Sequence, residues 1–99
     1  MSDLISFQKT METCKKTIEL FGIDSQFGMI IEECAELIHA INKYKRGRIS
    51  IDELKSEFAD VEIMLIQFSL IFDWKEIKNK KIERLTKIIQ DIENETNPT

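Results

Sequence analysis

The 99-residue chain predicts an all-α fold, an antiparallel four-helix bundle completed by oligomerisation. Three observations point there. One proline, Pro98, and three glycines supply too little turn chemistry for a sheet. Apolar residues recur at the three-and-four spacing of amphipathic helices. A chain this short also buries a modest core alone, so association of copies is expected.

The elements follow in order. Leu4, Phe7, Met11, Cys14, Ile18 and Phe21 mark a first helix over residues 4–21, closed by Gly22 as its C-cap. Asp24 or Ser25 is the expected cap of the second helix. Its main apolar stripe is Phe27, Ile30, Ile31, Cys34, Leu37, Ile38, Ile41 and Tyr44. Arg46-Gly47-Arg48 reads as a turn, and Ser50 with Glu53 makes the S-x-x-E capping box of a third helix. From Val61 to Phe72 that helix is apolar nearly all round, which predicts a central position. Asp73 is the expected cap of a fourth helix, with Trp74, Ile77, Ile82, Leu85, Ile88, Ile89 and Ile92 as its buried stripe. Residues 94–99 read as a polar, frayed tail. No linker or internal repeat divides residues 1–99, so one domain is expected.

Composition narrows the function. With 42% apolar and 32% charged residues the chain reads as soluble and globular. A net charge of −4 argues against nucleic acid as a partner, since phosphate backbones reward excess Lys and Arg. The basic runs Lys43–Arg48 and Lys78–Lys81 suit a small polyphosphate instead. Residues 61–72, the longest apolar stretch, are interrupted by Glu62, Gln67 and Ser69 and too short to span a membrane. The N-terminus lacks the pattern of a signal peptide. Cys14 and Cys34 fall on apolar stripes and read as core thiols in a reducing cytoplasm.

The chemistry is concentrated in two acidic pairs, Glu33-x-x-Glu36 and Glu57-x-x-Asp60. Residues three apart share a helix face, so each pair presents two carboxylates side by side. The segment between the pairs lets one helix end and the next return antiparallel, which would bring four carboxylates into one cleft. Such a cluster calls for cations, and oxygen-only ligands suit Mg²⁺ or Mn²⁺. On the second helix Met29, Glu33, Glu36, Ala40 and Lys43 form a row apart from the main stripe, read as a second contact surface lining a cleft. Glu53, Glu57, Asp60, Met64, Gln67 and Ile71 share a face of the third. Glu53 is explained by its cap and ranks as an outer candidate. Glu32 and Glu62 point elsewhere.

The run from Gln26 to Leu37, QFGMIIEECAEL, followed by Glu53 to Val61, ELKSEFADV, resembles the MazG family of all-α nucleoside triphosphate pyrophosphohydrolases. The likeness spans roughly residues 25–85, and its signature is E-x-x-E, a spacer, then E-x-x-D. It implies a Mg²⁺-dependent hydrolase that cleaves a nucleoside triphosphate between the α and β phosphates, releasing pyrophosphate. Glu33, Glu36, Glu57 and Asp60 would be the metal ligands and catalytic residues, with Glu36 the favoured proton acceptor. The likeness also implies a site completed across a subunit interface, in a homodimer or dimer of dimers. Lys81-x-x-Arg84 is similar to a basic element that follows the family's acidic motifs.

On the fourth helix Lys78 and Lys81 lie within the apolar arc rather than opposite it. Either their stems snorkel, or Lys78, Lys81 and Arg84 reach substrate phosphate. His39, the one histidine, reads as a surface residue. No Gly-rich phosphate loop, zinc spacing or dinucleotide fingerprint is present. Two other readings stay open: a phosphoribosyl-ATP, dUTP or dCTP pyrophosphohydrolase of the same superfamily, and a non-enzymatic helical module that binds metal or a partner.

Overall fold

A computed structural model of the chain describes residues 2–96, and these form four helices: α1 (Ser2–Phe21), α2 (Ile23–Lys45), α3 (Ile51–Ser69) and α4 (Lys75–Thr96). Among the described residues there is no strand. No helix among them is long and apolar enough to cross a membrane.

The junctions explain the layout. Gly22 alone separates α1 from α2, at φ +86°, a conformation that a Cβ would oppose. Its N–H donates to the Ile18 carbonyl at 2.9 Å, closing α1, and its own carbonyl accepts from Gln26 at 3.1 Å, opening α2. Gly22 therefore occupies the cap position expected for Asp24 or Ser25, and Asp24 falls in the first turn, where its charge meets the positive helix end. Between α2 and α3 the chain turns through Arg46, Gly47 at φ +71° and Arg48. The capping box is formed: Ser50 Oγ accepts from the Glu53 N–H at 3.1 Å, and the Glu53 carboxylate accepts from the Ser50 N–H at 3.4 Å. Asp73 accepts from the Lys75 N–H at 3.1 Å at the start of α4. That helix runs to Thr96, beyond Asn94 where the frayed tail was expected to begin. The rest of that tail lies outside the described residues.

α3 is central, packing on α1 and more extensively on α2. The core is small: Cys14, Ala40, Leu54, Met64 and Phe68 are its buried apolar residues. Phe68 stacks within a trio whose ring centroids lie 4.8 Å (Phe27–Phe68) and 6.3 Å (Phe68–Phe72) apart. Cys14 and Cys34 are free thiols, and burial pushes that of Cys14 up.

Two expectations need correction. First, α4 packs on none of the other helices, so one chain makes three packed helices and a projecting fourth. The apolar stripe predicted to be buried on α4 is open to solvent, from Ile88 at 46% exposed to Ile77 at 58%. The radius of gyration, 18.1 Å, exceeds the about 13 Å of a compact chain of this length. Second, the buried side of α2 is not centred on the predicted stripe, where Ile31 is 69% and Ile38 63% exposed. Gln26 and Ala40 are its buried residues, and Glu33 between them is half-buried, so the packed face is turned from the centre of that stripe toward Glu33. The face of α2 on α3 thus straddles the two predicted rows: Ile30, Cys34 and Leu37 of the apolar stripe are half-buried and Phe27 packs on Phe68, while Ile31 and Ile38 are left open.

Ser50→Ala removes one half of the capping box. It should lower stability by about 1 kcal/mol, read as a lower urea midpoint at unchanged slope, with Ser50→Thr staying close to the wild-type midpoint because its hydroxyl can still cap.

Candidate metal centre

The α2–α3 register is set by two buried side chains. The Gln26 amide donates to the Gln67 side-chain oxygen across the seam. Gln67 in turn directs its N–H group at the Met64 sulfur, 3.8 Å away. Seven residues on along α2 is Glu33, and seven back along α3 is Asp60. Three more bring Glu36 opposite Glu57. Antiparallel helices pairing heptad by heptad thus turn two sequence motifs into one facing set. The amide pair is the element that reading the sequence missed. Its one signal was that Gln67 shares a face with Glu57 and Asp60.

Glu33, Glu36 and Glu57 each bring a carboxylate oxygen within 4.8 Å of the other two. Asp60, half-buried, is not among the three, but its charge reaches Glu33. Burial raises the Glu33 carboxyl above its ordinary range, and the charges of Glu36, Asp60, Glu57 and Glu32 push the same way. Glu33 Oε2 and Glu57 Oε2 are sealed from water and have no hydrogen-bond partner. Among the described residues no cation pairs with these acids; the ion pair there is Lys80–Glu76, at 3.9 Å on α4. A buried carboxylate oxygen without a partner is costly, and two beside a third carboxylate suit a shared divalent cation. Oxygens on opposite sides of Mg²⁺ stand about 4 Å apart, so a small side-chain adjustment closes the set around one ion.

Beside the acids lies an open cleft of about 490 Å³, lined by Glu36, Glu53 and Glu57 and also by Ala35, His39, Ala40, Lys43 and Ile49. Glu53 therefore faces the cleft as well as capping α3. His39 and Lys43 join its wall because they follow Glu36 by three and seven residues, a full two turns of one face. Glu32 and Glu62 are exposed and stand outside this wall. Lys78, Lys81 and Arg84 are exposed on α4, which touches no other helix, so one chain does not bring them to the acids.

An all-helical protein with a carboxylate cluster fit for a divalent cation is the class that fold and site define. The chain belongs to the MazG nucleotide pyrophosphohydrolase family: the model of that domain matches residues 21–90, covering α2, α3 and most of α4. No curated protein and no solved structure matches the chain.

Millimolar Mg²⁺ or Mn²⁺ should raise the melting temperature, and EDTA should reverse the rise. The stabilisation reaches about 2.7 kcal/mol at a hundredfold excess over the dissociation constant. Glu33→Gln should leave the metal-free protein at least as stable, because a repelled charge is gone, while removing most of the metal response. A wild-type protein indifferent to both ions would rule the centre out.

Proposed function

We propose that the chain is a Mg²⁺-dependent nucleoside triphosphate pyrophosphohydrolase, with Mn²⁺ as an alternative ion, acting on NTPs or dNTPs to give the monophosphate and pyrophosphate. The observation that carries this is the pair of buried, partnerless oxygens on Glu33 and Glu57, one from each motif of the family signature. Glu33, Glu36, Glu57 and Asp60 hold the ion. Bound there, Mg²⁺ supplies neutralisation of phosphate charge and a lowered water pKa.

The residues divide the remaining work. Glu33 and Glu57 each have an oxygen sealed from water, whereas Glu36 is exposed on the cleft wall, so a Glu36 oxygen not engaged by the ion would accept the proton of the attacking water. Ala35 and Ala40 keep the wall beside it small, which leaves room for a phosphate chain. Water provides the nucleophile, so no covalent intermediate is needed.

A second copy of the chain completes the assembly, as a homodimer or a dimer of dimers. The unpartnered stripe of α4 and the open stripe of α2 support this, since apolar area on this scale is normally covered. In that assembly Lys81, with Lys78 and Arg84, approaches the acids of the partner subunit and meets substrate phosphate there.

Purified protein with Mg²⁺ should release pyrophosphate from at least one member of a panel of NTPs, dNTPs and phosphoribosyl-ATP. Glu57→Gln and Asp60→Asn should each lower kcat by at least about a hundredfold, whereas Glu32→Gln and Glu62→Gln should matter far less. Absence of release across the panel would refute the reading.

The placement of Lys81 in trans has its own check. Lys81→Met and Glu57→Gln chains, each inactive alone, should regain activity when unfolded and refolded together, because a mixed pair contains one intact set of groups. Mixtures that stay inactive would place Lys81 outside the partner's site.

A further inference from the structure

We propose that Lys43 is the residue that grips the pyrophosphate portion of the substrate, an assignment that rests on the hydrolase reading above. Lys43 lines the same cleft as Glu36, Glu53 and Glu57, yet among the described residues it pairs with no carboxylate. A lysine beside three acids and joined to none is free to meet an anion.

Position and rigidity support the role. Glu36, Ala40 and Lys43 lie on one face of α2, and a rise of about 1.5 Å per residue sets Lys43 about 10 Å along the axis from Glu36. Helical side chains lean toward the N-terminus, a direction that for Lys43, on the cleft wall, is the direction of Glu36. Ala40, between them on the cleft wall, is small. A phosphate chain drawn to a cation held by Glu36 and Glu57 at one end would reach the ammonium at the other. The Lys43 backbone is fixed by the turn: its carbonyl accepts N–H groups from Arg46 at 3.1 Å and Arg48 at 2.9 Å. The last turn of α2 also carries the negative end of the helix dipole, so an anion bound there requires a cation beside it. Arg46 and Arg48 do not line the cleft, whereas Lys43 does.

The test is calorimetric binding of inorganic pyrophosphate, and separately of a nucleoside monophosphate, to the full chain with Mg²⁺. Lys43→Met keeps the length and apolar stem while deleting the charge, and Lys43→Arg restores a cation. Pyrophosphate affinity should fall roughly tenfold in Lys43→Met, with monophosphate affinity and melting temperature unchanged and Lys43→Arg near wild type. Unchanged pyrophosphate affinity would overturn the assignment, as would a loss confined to the monophosphate or a wild-type chain that does not bind pyrophosphate. Pyrophosphate release from the nucleotide panel reports on the hydrolase reading separately: a wild-type chain that binds pyrophosphate through Lys43 but hydrolyses nothing would sink that reading and leave the anion site standing.

Discussion

The antiparallel seam between α2 and α3 is the constraint on which the rest depends. A buried amide pair, Gln26 and Gln67, holds one end, and the Gly47 turn with the Ser50–Glu53 capping box holds the other. Between them the register leaves the acids no alternative but to face one another. In an ordinary bundle those positions would carry leucine or alanine and contribute packing energy. Here they carry like charges whose repulsion is partly relieved by the exposure of Glu36, while oxygens of Glu33 and Glu57 remain sealed and unpaired. The fold thus sustains a local cost at its main helix contact, a pattern characteristic of sites rather than of cores.

That cost explains the shape of the remainder. With the α2–α3 contact given partly to carboxylates, one chain buries few apolar side chains, and the aromatic trio of Phe27, Phe68 and Phe72 lies toward the amide end of the seam. α1 adds Cys14 to the core. α4 contributes nothing to it, although its apolar stripe is as regular as any in the sequence. An amphipathic helix in isolation draws its stability from what covers its apolar face. The proposed second copy accounts for that stripe and for the open face of α2 together.

The cleft itself has a charge gradient built by helical periodicity. Along one face of α2, an acid at Glu36 gives way to a small residue at Ala40 and then a base at Lys43. α3 contributes acids to the same wall, Glu57 and the capping residue Glu53. A metal-bound polyphosphate carries its charges in the complementary order, with cation at one end and anionic oxygens at the other. Substrate orientation in the cleft would follow from that order.

The sequence by itself determined the four helices, the glycine and cap junctions, and the two acidic motifs, because propensity, capping and periodicity are local properties of the chain. The Ser50–Glu53 box and the central place of α3 were legible for that reason. Which face of α2 would be buried was not: hydrophobicity favoured the stripe of Ile31 and Ile38, whereas the register marked by Gln26 and Gln67 buries Gln26 and Ala40 and half-buries Glu33 between them. The separation of α4 was equally hidden, since its periodicity states that a face wants cover without stating which chain supplies it. The meeting of the two acidic pairs in one cleft was legible from their order and spacing; only the tertiary structure decided that Glu33, Glu36 and Glu57 draw closest with Asp60 just beyond, and that Lys43 stands on their wall while Lys81 stands apart. Distances between helices are set by how whole faces pack, and no local pattern encodes them.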